Sequence, residues 1–204
     1  MCNKYVRLME YFYPARDSTG FTEQNQVHIY VNSLIEILND DNAIEWFEFP
    51  WDDKRKHIDA LVYSPAHETV FYIEAKRFSN KSKANSLCHD IKRIVTADRS
   101  FIKRHGIKQF KCEYVIALSD VWLETKWKRS VPFWWAGENL PSQLLKWNEM
   151  SSKPLINDTK TFKEFLINEF DVDWSGGVQY AYWLGEKVEK TINYCLLMSA
   201  NKLS

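Results

Sequence analysis

Residues 57 to 78, "HIDALVYSPAHETVFYIEAKRF", hold two runs of β-branched, aliphatic and aromatic residues separated by the turn-forming segment "PAHE". Few arrangements other than an antiparallel hairpin accommodate such a pattern. A turn at Pro65 to Glu68 sets the start of the first run against the end of the second, which fixes the register of everything between. The alternating, aromatic segment "AIEWFEFPW" precedes it, closed by Pro50 and the charged turn "DDKRK", so a third strand joins the hairpin in a meander. Upstream, Thr22 is a good helix N-cap, and Val27, Tyr30, Val31, Leu34 and Leu38 recur at helical spacing. Downstream, after "SNKSKANS", Leu87, Ile91, Ile94 and Phe101 share one helical face, and "FKCEYVIAL" reads as a strand ending at "SD". The expected order is helix, three-strand meander, helix, strand: an α/β chain with a mixed central sheet flanked by helices.

The 204 residues are expected to form one domain, with a core at roughly residues 20 to 120 and an extension, 121 to 204, of unassigned role. In that extension "VPFWWAGENLP" reads as an aromatic loop and "TKTFKEFLINEF" as an amphipathic helix. "GGVQYAYWLG" with "INYCLLMSA" is either a hairpin or a strand and helix pair. The four cysteines form no Cys-x-x-Cys pair, which argues against a zinc ribbon and suits a reducing cytoplasm. No signal peptide and no membrane-spanning apolar run is apparent. There is also no phosphate-cradling glycine loop, HExxH or GxSxG, so mononucleotide-binding, zincin and serine hydrolase readings lack a motif.

Charge decides more than its total of zero suggests. Residues 1 to 75 carry 6 basic and 13 acidic side chains, and residues 76 to 129 carry 14 and 5. An acidic segment followed by a basic one suits a site that holds cations and attracts phosphates, although a solvated basic face would look the same. Five acid-x-Lys patterns occur, and only Glu74 with Lys76 lies within an expected strand. There, residues two apart project from one face, and the hairpin register brings Asp59 to them. Two adjacent carboxylates repel unless a cation lies between them, and an all-oxygen set suits Mg²⁺ or Mn²⁺. A lysine beside such a metal can help deprotonate or orient water and can stabilise charge on a pentavalent phosphorus. A strand salt bridge of Asp59 and Glu74 around Lys76 is the competing reading.

With "HIDALVY" followed by "FYIEAKRF", and with the order helix, meander, helix, strand, the chain resembles the PD-(D/E)XK nuclease superfamily. The resemblance covers roughly residues 20 to 120 and departs in one respect, Ile58 standing where proline often precedes the aspartate. It implies a restriction-endonuclease-like core and Mg²⁺-dependent hydrolysis of DNA phosphodiesters, with Mn²⁺ as a substitute metal. An endonuclease acting on double-stranded DNA in a restriction or defence setting is the expected role. A catalytically silent nucleic-acid-binding or scaffold module of the same fold is the alternative. Carried over, Asp59 and Glu74 are metal ligands together with the Ala75 carbonyl, and Lys76 is the catalytic lysine.

Many members place another acid on the first helix. Stepping about 100° per residue from Val27 puts Glu23 at the edge of the packed face and Glu36 opposite it. Glu23 therefore joins the candidate site, unless it only complements the helix dipole. Glu45 and Glu48 fall on opposite faces of their strand, so at most one can reach the site. For the nucleic acid, Lys81 and Lys83 precede the second helix, and Lys92, Arg93, Arg99, Lys103 and Arg104 lie off its apolar face. Trp134 and Trp135 could stack on a flipped or single-stranded base or anchor a core. His89 and His105 have no metal-ligand spacing and are expected to be structural or solvent-facing. The C-terminal third is expected to supply specificity or oligomer contacts, a homodimer included.

Overall fold

A computed structural model describes residues 1–11, 22–51, 56–157, 160–185 and 192–203. In chain order its elements are α1 (Cys2–Tyr11), α2 (Glu23–Leu38), β1 (Ile44–Pro50), β2 (His57–Ser64), β3 (Thr69–Arg77), α3 (Lys81–Thr96), α4 (Ser100–Arg104), β4 (Cys112–Trp122), α5 (Lys126–Ala136), α6 (Ser142–Met150), α7 (Phe162–Phe170), β5 (Val178–Trp183) and β6 (Tyr194–Lys202). The strands form one six-stranded open sheet in the order β1-β2-β3-β4-β6-β5. Only β3 and β4 pair in parallel, and the crossover that a parallel step requires is supplied by α3 and α4. The sheet is therefore mixed and flanked by helices. Most of the expected turn "DDKRK", residues 52–55, lies outside the described residues.

Alternation along the strands sorts the core onto two faces. Tyr72, Leu61, Val115 and Ala117 pack under α3, α5 and α7 with Leu87, Ile91, Trp135 and Phe162. Ile73, Ala75, Ala60, Val62 and Leu118 face the other way, against Val27 and Val31 of α2. Burying Val27 and Val31, each worth about 1.5–3 kcal/mol, holds α2 on the sheet and sets its rotation. Two side chains in its first turns stitch it to the strand ends: Gln26 donates to the Ser119 carbonyl at 2.6 Å, and Glu23 accepts from the Arg77 N–H at 2.9 Å.

Several expectations need correction. The second helix is not continuous to Phe101, because Ala97 is extended and Asp98 accepts from the Ser100 N–H at 3.0 Å, starting α4 anew. Strand β4 continues past "SD" to Trp122, since β6 pairs along it as far as Trp122↔Tyr194. The segment read as an aromatic loop is α5, in which the Thr125 side chain caps the Lys128 N–H at 3.4 Å. Pro132 inside it costs about 3 kcal/mol. Burial of Val131 and Trp135, at about 1.5–3 kcal/mol each, offsets that. The amphipathic helix is α7, begun by a capping box between Thr161 and Glu164. Of the two options for the C-terminus, the hairpin is realised as β5 and β6, with β6 laid against β4. Helices α1 and α6 are absent from the expected order; Tyr5 and Met9, one turn apart on α1, pack on Trp122, Leu184 and Tyr194.

Candidate active site

The β2–β3 ladder runs from Ser64↔Thr69 up to Ala60↔Ile73, which places Asp59 across from Glu74. There the Asp59 side chain takes over from the backbone, its Oδ2 accepting the Ala75 N–H at 2.7 Å. The two carboxyl groups are close enough that Asp59 raises Glu74 through space. Lys76, two residues on along β3, turns to the same side as Glu74, with Nζ 3.9 Å from Glu74 Oε2. Its backbone carbonyl accepts from the Ser119 hydroxyl at 2.6 Å, which fixes this end of β3 on β4. The hairpin register thus gathers Asp59, Glu74 and Lys76 at one end of the sheet.

Helix α3 contributes two further groups. Asp90 Oδ2 is 3.4 Å from Lys76 Nζ, and Arg93 Nη2 lies 2.8 Å from Glu74 Oε1, 3.2 Å from Asp90 Oδ1 and 3.1 Å from the His57 carbonyl. Asp90 escaped the sequence reading because it belongs to an acid-x-Lys pattern on a helix, where residues two apart diverge by about 200°. Its spacing from Ile94, one turn later on the packed face, is the signal that could have placed it against the sheet.

Three carboxylates facing two cations produce strong mutual perturbation. Glu74 is almost fully buried, and desolvation, then Asp59 and Asp90, push its carboxyl well above the usual range, against Lys76 and Arg93. Burial also raises Asp59, opposed by Lys76 and by the Ala75 N–H. For Lys76 burial works against the ammonium, but Asp59, Glu74, Asp90 and Glu23 outweigh it, so its pKa is raised. The lysine is therefore a held cation at neutral pH and a hydrogen-bond donor.

The pair Asp59 and Glu74, with the Ala75 main chain between Glu74 and Lys76, offers oxygen ligands of the type Mg²⁺ takes. Excess negative charge on two adjoining, desolvated carboxyls is what a divalent cation relieves. Among the described residues no group of three His, Cys, Asp or Glu side chains is arranged to hold a metal, so a main-chain carbonyl and water would have to complete the shell.

Glu23 and Glu36 fall on opposite sides of α2, as the helical step predicts. Glu36 is exposed and pairs with Lys4 at 2.7 Å. Glu23 is half-buried and raises Lys76 through space, while its Oε1 is held by the Arg77 N–H rather than aimed between Asp59 and Glu74. Glu23→Gln keeps that acceptor and removes only the charge. Turnover is expected to fall at least about tenfold in this variant and to stay unchanged in Glu36→Gln. Equal rates would reduce Glu23 to a dipole and tethering role. Of the acids on β1, Glu48 is the one that reaches the site: it raises Asp59 through space and lines a cleft with Asp59, Gln24, Val27, His28 and Phe47. Glu45 is exposed.

The basic segment divides. Lys81, Lys83, Lys103 and Arg104 are exposed and Lys92 is half-buried. Arg93 and Arg99 are turned inward, a correction to their expected place among outward phosphate contacts. Arg93 is engaged with Glu74 and Asp90, and Arg99 bonds Glu113 at 2.9 Å and the Ile94 and Ala97 carbonyls at 2.8 Å. Buried Glu74 and Glu113 each need a cation, and that need outcompetes solvent exposure of the guanidinium groups. Trp135 is a core anchor, its Nε1 donating to the Met198 carbonyl at 3.2 Å, while Trp134 is half-buried beside it. His89 packs on Phe170, and His105 on Trp46 and Phe49.

Beyond the cluster, Asp120 near the end of β4 is buried and accepts from the Tyr194 hydroxyl at 2.6 Å, with Arg77 Nε 3.8 Å away. Burial lifts its carboxyl to about 6, against the Tyr194 hydrogen bond and Arg77. Among the described residues no helix is long and apolar enough to cross a membrane. No family model, no curated protein and no solved structure matches this chain.

Proposed function

We propose that the chain is a Mg²⁺-dependent deoxyribonuclease with a PD-(D/E)XK-type site on a restriction-endonuclease-like core. The observation that carries this reading is the convergence of Asp59, Glu74 and Lys76 where β2 and β3 part. Support also comes from the element order α2, β1 to β3, α3, β4, which follows that superfamily's core. Asp59, Glu74 and the Ala75 carbonyl would hold the metal, which when bound supplies charge neutralisation at a phosphate and a more acidic water. Mn²⁺ would serve in its place.

The protein's own groups then divide the work. Asp59 and Glu74 concentrate negative charge at a fixed spot on the sheet. Lys76, kept protonated by the carboxylates around it, donates to the attacking water or to a non-bridging phosphate oxygen and opposes the charge that grows on phosphorus. Asp90 holds the Lys76 ammonium in place, and Arg93 steadies Glu74. In the reaction the water oxygen bonds phosphorus as the bond to the leaving deoxyribose oxygen breaks. The water releases a proton, and the leaving oxygen takes one up. Exposed Lys81, Lys83, Lys103 and Arg104, with half-buried Lys92, would bear on the strand backbone of double-stranded DNA. A cytoplasmic endonuclease of the restriction or defence kind fits this chemistry, with a homodimer as the assembly to test.

One observation favours a second reading. Arg93 and Lys76 already neutralise much of the carboxylate charge, so a silent nucleic-acid-binding or scaffold module could keep this cluster as a salt-bridge network. Calorimetry separates the two. In the nuclease, Mg²⁺ binds and Asp59→Asn and Glu74→Gln each weaken it by about tenfold or more, the 1.4 kcal/mol of one lost ligand. A protein that takes up no Mg²⁺ and leaves circular DNA unnicked is the silent module.

A further inference from the structure

A second cleft opens on the other flank of α3. It has a volume of about 240 Å³ and is lined by Lys81 and Asn85 of α3, Trp127, Ser130 and Trp134 of α5, and Lys160. We propose that it receives one unpaired nucleobase of a DNA strand bound at the Asp59–Glu74–Lys76 site, a proposal that rests on the nuclease reading.

Three features point to this ligand. First, both tryptophans that line the cleft are only half-buried, unlike Trp135, which the core consumes. Trp134 is held edge-on by Phe162 at 5.3 Å and by Phe165 at 5.9 Å, so its ring is fixed in place before any ligand arrives. A rigid aromatic wall is what a base stacks on, whatever its identity. Second, the Asn85 carboxamide makes no hydrogen bond among the described residues although it is half-buried. It therefore keeps a donor and an acceptor for a base edge, and the Ser130 hydroxyl, which donates to the Trp127 carbonyl at 2.8 Å, retains acceptor capacity. Third, the charge at the rim is positive. Lys81 forms no ion pair among the described residues, and Lys160 shares its charge with Glu169 at 3.6 Å, so the cleft pairs a flat aromatic wall with cations suited to the adjoining phosphates.

Placement settles which nucleotide is received. Phe78, two residues beyond Lys76, packs against Trp127 and Trp134, so the cleft lies at the same end of the sheet as the carboxylate cluster. Yet Lys81 and Asp90 are nine residues apart, which turns them to opposite flanks of α3, about 180° apart. A base in the cleft thus belongs to a nucleotide flanking the scissile phosphate and not to the one being cut. Stacking on Trp134 and pairing with the Asn85 carboxamide both need a base whose face and edge are free, so the base it takes must be single-stranded or extruded from the duplex.

The test is fluorescence anisotropy of a short, fluorescein-labelled single-stranded DNA on Lys76→Met protein without Mg²⁺, which measures binding with cleavage disabled. Trp134→Leu and Asn85→Ala are each expected to weaken binding at least about fivefold. Scanning the same oligonucleotide with an abasic site at each position should reveal one position where loss of the base weakens wild-type-cleft binding and is silent in Trp134→Leu. Asn85 is half-buried and its carboxamide bonds no other described residue, so Asn85→Ala removes no contact of the fold and reports even if Trp134→Leu destabilises α5. Unchanged affinity in Asn85→Ala together with no sensitive abasic position overturns the cleft assignment, and cleavage of DNA by the wild type under Mg²⁺ would then leave the nuclease reading standing. A sensitive position in a protein that never cleaves DNA would sustain the cleft and remove the nuclease.

Discussion

Lys76→Met is expected to lower DNA cleavage by about 100- to 1000-fold, the loss typical of removing one fixed donor from a developing negative charge. The side chain is 18% exposed and lies 3.4 Å from Asp90 and 3.9 Å from Glu74, so methionine fits its space without its charge. What remains is three carboxylates facing Arg93. Glu74, already raised by desolvation and by Asp59 and Asp90, can relieve the imbalance by keeping a proton. The variant should therefore stay folded, with a lower melting temperature at neutral pH that recovers as the pH is lowered. Cleavage of linear and circular DNA with Mg²⁺, read beside thermal melts at two pH values, checks both parts. Turnover within a few-fold of wild type would remove Lys76 from the chemistry.

The second large effect concerns stability and rests on Asp120. Its carboxyl is lifted from an ordinary 3.8 to about 6, because burial penalises the anion and its Oδ1 has no hydrogen-bond partner among the described residues. Between those two pH values the native state binds more protons at this site than the unfolded chain does. The stabilisation is complete below the unfolded value and is lost as the pH rises through the folded one, about 3 kcal/mol in all. Asparagine is a neutral stand-in that still accepts from Tyr194, so Asp120→Asn should match wild type near pH 4 and exceed it by up to that amount at neutral pH. Exposed carboxyls such as Asp98 and Asp173, which their neighbours hold below the usual range, change stability in the opposite sense, but they do so equally in both proteins. Urea unfolding on either side of pH 6 isolates the difference. A constant gap between the two proteins across that range would show that Asp120 does not titrate there.

Much of the region around the carboxylates was legible from local pattern. The bounds of β2 and β3 coincide with the apolar runs around "PAHE", because a short turn leaves one register that buries Leu61, Tyr72 and Ile73. That register alone sets Asp59 across from Glu74. In α2 the periodicity of Val27, Val31 and Leu34 placed Glu23 at the packed edge and Glu36 in solvent, since a 3.6-residue repeat ties every side chain's direction to the buried ones.

Side chains that answer a buried charge were not legible, because the charge they answer lies far off in sequence. Arg93 reads as one more base on a polar helix face, and only the packing of α3 on β3 puts Glu74 within 2.8 Å of it. Arg99 is drawn in by Glu113 in the same way, and Asp90 by Lys76. The aromatic segment around Pro132 shows the converse: local chemistry argued for a loop, and the cost of a proline in α5 is outweighed only once Val131 and Trp135 have a core to enter. By itself, then, the sequence determined the meander, the two helices beside it and the meeting of Asp59, Glu74 and Lys76, all of which follow from short-range periodicity and one tight turn. Tertiary structure alone decided which cations neutralise the carboxylates, that Trp135 is buried while Trp134 beside it is only half-buried, and that β6 lies against β4, because each depends on desolvation and packing between segments that no local repeat connects.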